Sequence, residues 1–264
     1  PHTHIPEKNS FSWGQPKYGK EKADSLIDII NFHGSENIAA VIVEPVAGST
    51  GVLVPPVGYL EKLREICTDN NILLIFDEVI TGFGRLGDSF ASERFKVIPD
   101  LITMAKGITN ATVPMGAVGV NSKIYETLIK NKKEKIELFH GYTYSGHPLA
   151  CAAGLATLEV YKEEKLFERA KKLEKYFGDK AHSLSKLNMV KDVRNIGLVA
   201  GIELEAREKK NKTLGRDVFE ECFNNGVMVR FTGNTIALSP PLIIDKNQID
   251  IVFDVLSNSI KNCF

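Results

Sequence analysis

Apolar residues along this chain fall into short blocks separated by polar, helix-patterned or loop-like stretches. IAAVIV (38–43), ILLIF (72–76), DLITM (100–104) and MGAVGV (115–120) are continuous apolar runs of strand length. Between the first two lies VGYLEKLREICTDNN (57–71), where Val57, Leu60, Leu63 and Ile66 recur at helical spacing. Fully apolar strands alternating with helix or long loops predict a parallel sheet covered on both faces. Before these blocks, residues 1–30 are polar and broken by Pro6, Gly14, Pro16 and Gly19, with a short helix expected near Ala23–Phe32.

The pattern changes after Lys135. HGYTYSGHP (140–148) is a loop rich in glycine and hydroxyls. A helix is expected from Leu149 to Tyr161 and a second to about Leu187. Short strands follow in MVKDVR, GLVAGIEL, VMVR and TIALS, flanked by helices near Leu214–Asn225 and Asp245–Asn262. The chain therefore divides into a mostly parallel α/β part, residues 1–160, and a small α+β part, residues 161–264.

Composition narrows the function. The 264 residues are 43% hydrophobic and 25% charged, with no net formal charge. That is globular composition, with no basic face to attract nucleic acid. No apolar run is long enough to span a bilayer. The four cysteines are far apart with no CxxC pair, which excludes a zinc knuckle or a disulfide framework and suggests a reducing, cytoplasmic setting. His2 and His4 have no third ligand nearby, so no metal is expected. KNKKEK (130–135) reads as a solvated loop or helix end.

The candidate chemistry sits at strand ends. ILLIF runs into Asp77 and Glu78, DLITM is followed by Lys106, and IVEP ends on Glu44. In open α/β sheets ligands bind at the carboxyl ends of strands. Asp77 and Lys106 either form a structural ion pair or serve a cofactor. A buried lysine is partly a free amine that attacks carbonyls. A buried Asp can hold a heteroaromatic nitrogen protonated. Together they are the pair that a pyridoxal phosphate enzyme requires.

EPVAGSTGVLVPPVGYLEKLREICTDNNILLIFDEVITGFGRLG (44–87), PDLITMAKGI (99–108) and HGYTYSGHPLACAAGLATL (140–158) resemble the class III pyridoxal-phosphate aminotransferases of fold type I. That group includes the ornithine, GABA and omega-amino-acid:pyruvate aminotransferases. The resemblance runs in order from about Asn37 to the C-terminus. It implies a Lys-bound pyridoxal 5'-phosphate, with Lys106 as the Schiff-base lysine and Asp77 as partner of the pyridine nitrogen. Val79 is implied to pack on the ring. Thr143 would reach the cofactor phosphate of a neighbouring subunit, which implies a homodimer. Glu44 is implied near the substrate side, and Arg230 as the ligand of a substrate carboxylate. Two departures from the ornithine type, Ala237 just before the Pro-Pro pair and Ile80 where some relatives have Gln, favour the omega-amino-acid:pyruvate branch.

The family also has an N-terminal region with a phosphate-binding loop, which this sequence does not contain; GSTG (48–51) does not match it. The chain is therefore expected to be a C-terminal fragment. The implied activity is transfer of an amino group from an omega-amino acid or amine to pyruvate or another 2-keto acid. The alternatives are a cofactor-free, catalytically incompetent fragment, an aminomutase or decarboxylase of the same fold, or a cofactor-free lyase using Lys106.

Overall fold

A computed structural model describes residues 6–130, 138, 140–206 and 213–263. Two four-stranded sheets organise them. The first takes β1 (Ala40–Val43), β2 (Leu73–Asp77), β3 (Leu101–Met104) and β4 (Ala117–Val120) in that spatial order. Around it lie α1 (Pro6–Asn9), α2 (Ser25–His33), α3 (Tyr59–Asp69), α4 (Ala91–Phe95) and α5 (Ser122–Lys130). Then come α6 (Pro148–Glu163) and α7 (Leu166–Ser183). The second sheet holds β5 (Val190–Ile196), β6 (Val199–Leu204), β7 (Arg230–Thr232) and β8 (Thr235–Leu238), in the order β5-β6-β8-β7 and antiparallel throughout. Helices α8 (Leu214–Asn224) and α9 (Lys246–Asn262) complete the chain.

The strands form where the apolar runs are, and the first sheet is mostly parallel as expected; what the pattern does not show is its one reversed strand and its uncovered face. β1, β2 and β3 are parallel, whereas β4 runs antiparallel to β3, with Thr103 opposite Val118. Its connection from β3 is a turn region with no crossover helix, and a parallel return needs such a crossover. The sheet is also not buried on both faces. Val41, Val43, Leu74 and Phe76 point into a core with Leu60, Leu63 and Ile66 of α3. On the opposite face Ile42 is 61% and Val118 60% exposed, because no described element covers them. Leu73 is exposed as well.

Local signals set the helices. Helix α3 starts after Gly58, which is left-handed at φ 81°, and buries Tyr59, Leu60, Leu63, Ile66 and Cys67. Helix α6 opens with Pro148 in its first turn, where a missing N–H removes no helical bond. Helix α9 starts in a capping box: Asp245 accepts from the Gln248 amide, and the Gln248 side chain accepts from the Asp245 amide.

The second sheet alternates cleanly. Val193, Ala200, Ile202, Ile236 and Leu238 face a core with α7, α8 and α9. Ile196, Val199 and Ala237 face the other way and join the core of the first sheet. The segment after α1 ties to the second sheet and to the loop before α3: the Gly14 amide donates to the Asn195 carbonyl, and the Val57 amide to the Pro16 carbonyl. The KNKKEK run from Asn131 onward, His2 and His4 lie outside the described residues. Among the described residues no group of three or more His, Cys, Asp or Glu could hold a metal, and no helix is long and apolar enough to cross a membrane.

Candidate active site

Asp77 is the last residue of β2, and Lys106 follows β3 by two residues. The two strands are parallel neighbours in which Asp77 pairs with Thr103. Their carboxyl ends thus put a carboxylate and an amine on the same edge of the sheet. Asp77 is half-buried, and its Oδ1 accepts from the Val79 amide at 3.1 Å, which fixes the turn that carries Val79. Glu78 also locks into the sheet, its amide donating to the Thr103 carbonyl at 3.0 Å.

Two expectations about the pair are revised. Lys106 is exposed rather than buried, since it stands beyond the strand on the uncovered edge. The structural ion pair between Asp77 and Lys106 is not formed, and among the described residues the Lys106 amine has no salt-bridge partner. Lys106 adopts φ 47°, the left-handed region that a non-glycine residue enters only under constraint. The constraint is visible. The Thr109 and Ala111 amides both donate to the Lys106 carbonyl, Thr109 Oγ1 donates to the Val113 carbonyl, and the Tyr161 hydroxyl of α6 donates to the Gly107 carbonyl at 2.7 Å. Gly107 lies against Phe83, where an added Cβ would come within 2.7 Å of the Phe83 Cβ and 2.9 Å of its ring. The turn is therefore held from below while the amine stays in the open.

Glu78 is the second carboxylate of the strand end, and its partners are structural. It is fully buried and accepts from the Ala91 amide at 2.6 Å, the Ser92 amide at 2.9 Å and Thr81 Oγ1 at 2.9 Å. These bonds anchor the start of α4 beneath the Asp77 turn. Burial pushes the Glu78 carboxyl above its ordinary range, and the three donors pull it only part of the way back. The folded state therefore holds its proton to higher pH than the unfolded chain, so this group's contribution declines as pH rises from about 4.5. Glu78→Gln is expected to remove that decline. The wild-type advantage over the variant in urea midpoints should shrink as pH rises from 4.5 through 7; a constant or growing advantage would contradict it.

The remaining candidates lie around this edge. Glu44 is half-buried just past β1, and its Oε2 accepts from the Gly48 amide at 3.2 Å. Gly48 in turn lies against Ile80, whose Cδ1 would be 2.9 Å from an added Cβ. The GSTG loop therefore joins the Glu44 and Val79–Ile80 turns to the second sheet. Thr143 is exposed in the loop before α6, with no bond to the rest of the site. Arg230 opens β7, is exposed, and stands at the rim of an apolar cleft of about 590 Å³ against α9 that neither Lys106 nor Asp77 lines. The structure thus gathers Lys106, Asp77, Val79 and Glu44 at one sheet edge, and places Arg230 and Thr143 outside it.

Sequence reasoning missed Tyr161 and Arg85. Arg85 donates to the Leu198 and Pro240 carbonyls, and burial lowers its pKa to about 10. The only sequence signal for Arg85 was an Arg inside the glycine-rich GFGRLG turn, a place where charge is otherwise unneeded.

An amine and a carboxylate on adjacent parallel strand ends, above a strained and braced turn, suit a carbonyl cofactor with a basic ring nitrogen. The sequence as a whole agrees: residues 4–260 match the family model for class-III aminotransferases, and the chain belongs to that family. Among curated relatives, an omega-aminotransferase of Caulobacter vibrioides is 59% identical over 97% of this chain and 58% of its own length. A beta-alanine–pyruvate aminotransferase of Pseudomonas aeruginosa is 43% identical over 99% of this chain and 59% of its own length. Among solved structures, a thermostable omega transaminase from Pseudomonas jessenii superposes with a TM-score of 0.88 at 32% identity, covering 93% of this chain and 56% of that one. An (S)-enantioselective omega-transaminase from Thermomicrobium roseum gives 0.84 at 38% identity, covering 92% and 55%. The fold is that of the fold type I transferases. The chain spans a little over half the length of these relatives.

Proposed function

We propose that this chain carries the lysine-and-aspartate half of a pyridoxal phosphate site and serves transfer of an amino group from an omega-amino acid or amine to pyruvate or another 2-keto acid. The observation that carries this is the placement of Lys106 and Asp77 at the ends of paired parallel strands, with no ion pair between them. When bound, pyridoxal phosphate supplies an aldehyde that takes up the amino group and a ring that accepts electrons. Lys106 would hold that aldehyde, and its amine, once displaced by the substrate amine, would move a proton at the substrate carbon bearing nitrogen. Asp77 would keep a basic ring nitrogen protonated through a charge-assisted hydrogen bond. Val79 would offer an apolar surface to the ring, and Glu44 would border the substrate side.

Arg230 offers a planar fork suited to a carboxylate. Thr143 sits on an exposed loop and is assigned to the cofactor phosphate of a second subunit in a homodimer. Residues 1–160 form the cofactor-bearing part and residues 161–264 the small domain, and the protein is cytoplasmic. The named activities of the relatives, omega-amino acid and beta-alanine transfer to pyruvate, support this substrate class.

The test is alanine formation from pyruvate and an omega-amino acid after addition of pyridoxal phosphate. Arg230→Ala is expected to raise KM for pyruvate about 10- to 100-fold, the worth of a lost charge-assisted pair. KM for an amine without a carboxyl group should stay within about twofold. A chain that neither binds pyridoxal phosphate nor forms alanine is the catalytically incompetent fragment.

A further inference from the structure

The second sheet contains a row of residues that connects it to the proposed site. Arg194 on β5 pairs with Gly201 on β6, Gly201 with Ala237 on β8, and Ala237 with Arg230 on β7. Cross-strand partners share a face, so the row has an Arg at each end and two small residues between. Its face is the one turned toward the first sheet, as the packing of Ala237 into that core shows.

The space over the two small residues is filled by the GSTG loop. A Cβ at Gly201 would stand 2.8 Å from the Gly51 carbonyl oxygen and 3.1 Å from the Val52 side chain. Gly51 itself has φ 120°, accessible to glycine alone at low strain. Arg194 seizes this loop. Its Nε donates to the Gly51 carbonyl at 3.0 Å and the Val52 carbonyl at 3.1 Å, and its Nη2 to the Gly51 carbonyl at 2.7 Å. Its Nη1 donates to Asp192 and Glu203, each at 2.8 Å. Arg194 is only 3% exposed and Asp192 1%. At the other end of the row Thr232, two residues from Arg230 and on the same face, donates to the Ser49 carbonyl at 2.9 Å. The opposite end of the loop is Gly48, held by Glu44 and seated on Ile80.

We propose that Arg194 is a positioning residue: by gripping Gly51 and Val52 it sets the Glu44–Gly48 side of the site at a fixed distance from Arg230. This rests on the reading of Arg230 as the carboxylate ligand. A buried Arg flanked by two acids is often merely structural. Here most of its bonds go to backbone carbonyls some 140 positions away in sequence, on a loop that ends at Glu44. Lysine, a point charge with three rotatable donors, cannot reproduce that fork.

The experiment uses the full chain with Arg194→Lys, Arg194→Gln and Thr232→Val. Hydrogen exchange at the Gly51 and Val52 amides is expected to rise about tenfold or more in both Arg194 variants, with strands β6 and β8 unchanged. With pyridoxal phosphate present, KM for pyruvate is expected to rise about tenfold, while kcat and KM for a carboxyl-free amine stay within about twofold. Exchange at residues 48–52 equal to wild type, or parallel losses for both substrates, would overturn the proposal. If the Arg194 variants do not fold, Thr232→Val decides alone: it removes the exposed tie and should raise KM for pyruvate about threefold or more, and no change overturns the role. A wild-type chain without turnover would refute the proposed activity instead, and the exchange result would still decide whether Arg194 holds the loop.

Discussion

Lys106→Ala is expected to abolish amino transfer while leaving the fold intact. If the Lys106 amine both anchors the cofactor and moves the substrate proton, its loss removes at least the 10²- to 10⁴-fold of general acid–base catalysis, so a fall of about 10³-fold or more follows. Borohydride treatment of the wild-type chain mixed with pyridoxal phosphate should leave a tagged peptide containing Lys106, and the variant should leave none. Stability separates this from a structural lysine. The side chain is exposed and makes no ion pair among the described residues, so Lys106→Ala should change unfolding free energy by less than about 0.5 kcal/mol. Lys106→Gly should be more informative still. The left-handed backbone at φ 47° strains any side-chain-bearing residue, and glycine relieves that strain at the expense of some chain entropy. A net gain of about 0.5–1 kcal/mol is expected from an inactive protein. Such an exchange of stability for activity is what a functional strained residue predicts. A Lys106→Ala chain that transfers amino groups at the wild-type rate would end the assignment.

Much of the fold was legible because periodicity and burial agree. The four apolar runs became four neighbouring strands, and the Leu60–Leu63–Ile66 stripe became the buried face of α3. Direction was not legible: an antiparallel return and a parallel crossover leave the same apolar signature in MGAVGV, and only the connection distinguishes them. Nor was exposure. A run such as ILLIF is apolar on both faces, so it reads as doubly buried, yet Ile72, Leu74 and Phe76 are enclosed while Leu73 is exposed and Ile75 only half-buried. The site was partly legible for a related reason. Charged residues directly after apolar strands stand out, which identified Asp77, Lys106 and Glu44. Arg194 did not stand out, because MVKDVRNIG alternates charge and apolar residues as any half-solvated strand does. Its importance depends on a loop over a hundred positions earlier, and a glycine at position 201 that makes room for it.

Phe177→Ala is expected to lower unfolding free energy by about 3–5 kcal/mol, the usual range for truncating a buried aromatic. Phe177 on α7 is 1% exposed and meets Phe253 of α9 edge-on, with ring centroids 5.3 Å apart at 64°. That geometry adds about 0.5–1.5 kcal/mol to the burial itself. The ring also borders the apolar cleft beneath Arg230, so truncation would extend an existing void rather than open a new one. Neighbouring Val252 and Ile249 could then relax only by moving α9, whose start is fixed by the Asp245 capping box. A second consequence concerns cooperativity. Ile196 and Val199 belong by strand to the second sheet but are buried in the core of the first. Arg194 and Arg85 bridge the same junction. The two cores are therefore coupled, and the chain should unfold in one transition. Phe76→Ala in the first core and Phe177→Ala in the second should each shift the single urea midpoint downward with the slope unchanged. If Phe177→Ala instead split the curve, so that the first sheet kept the wild-type midpoint, the two sheets would be independent units. Arg194 would then hold a loop between bodies that can part, and its grip on Gly51 would control whether Glu44 and Arg230 face each other at all.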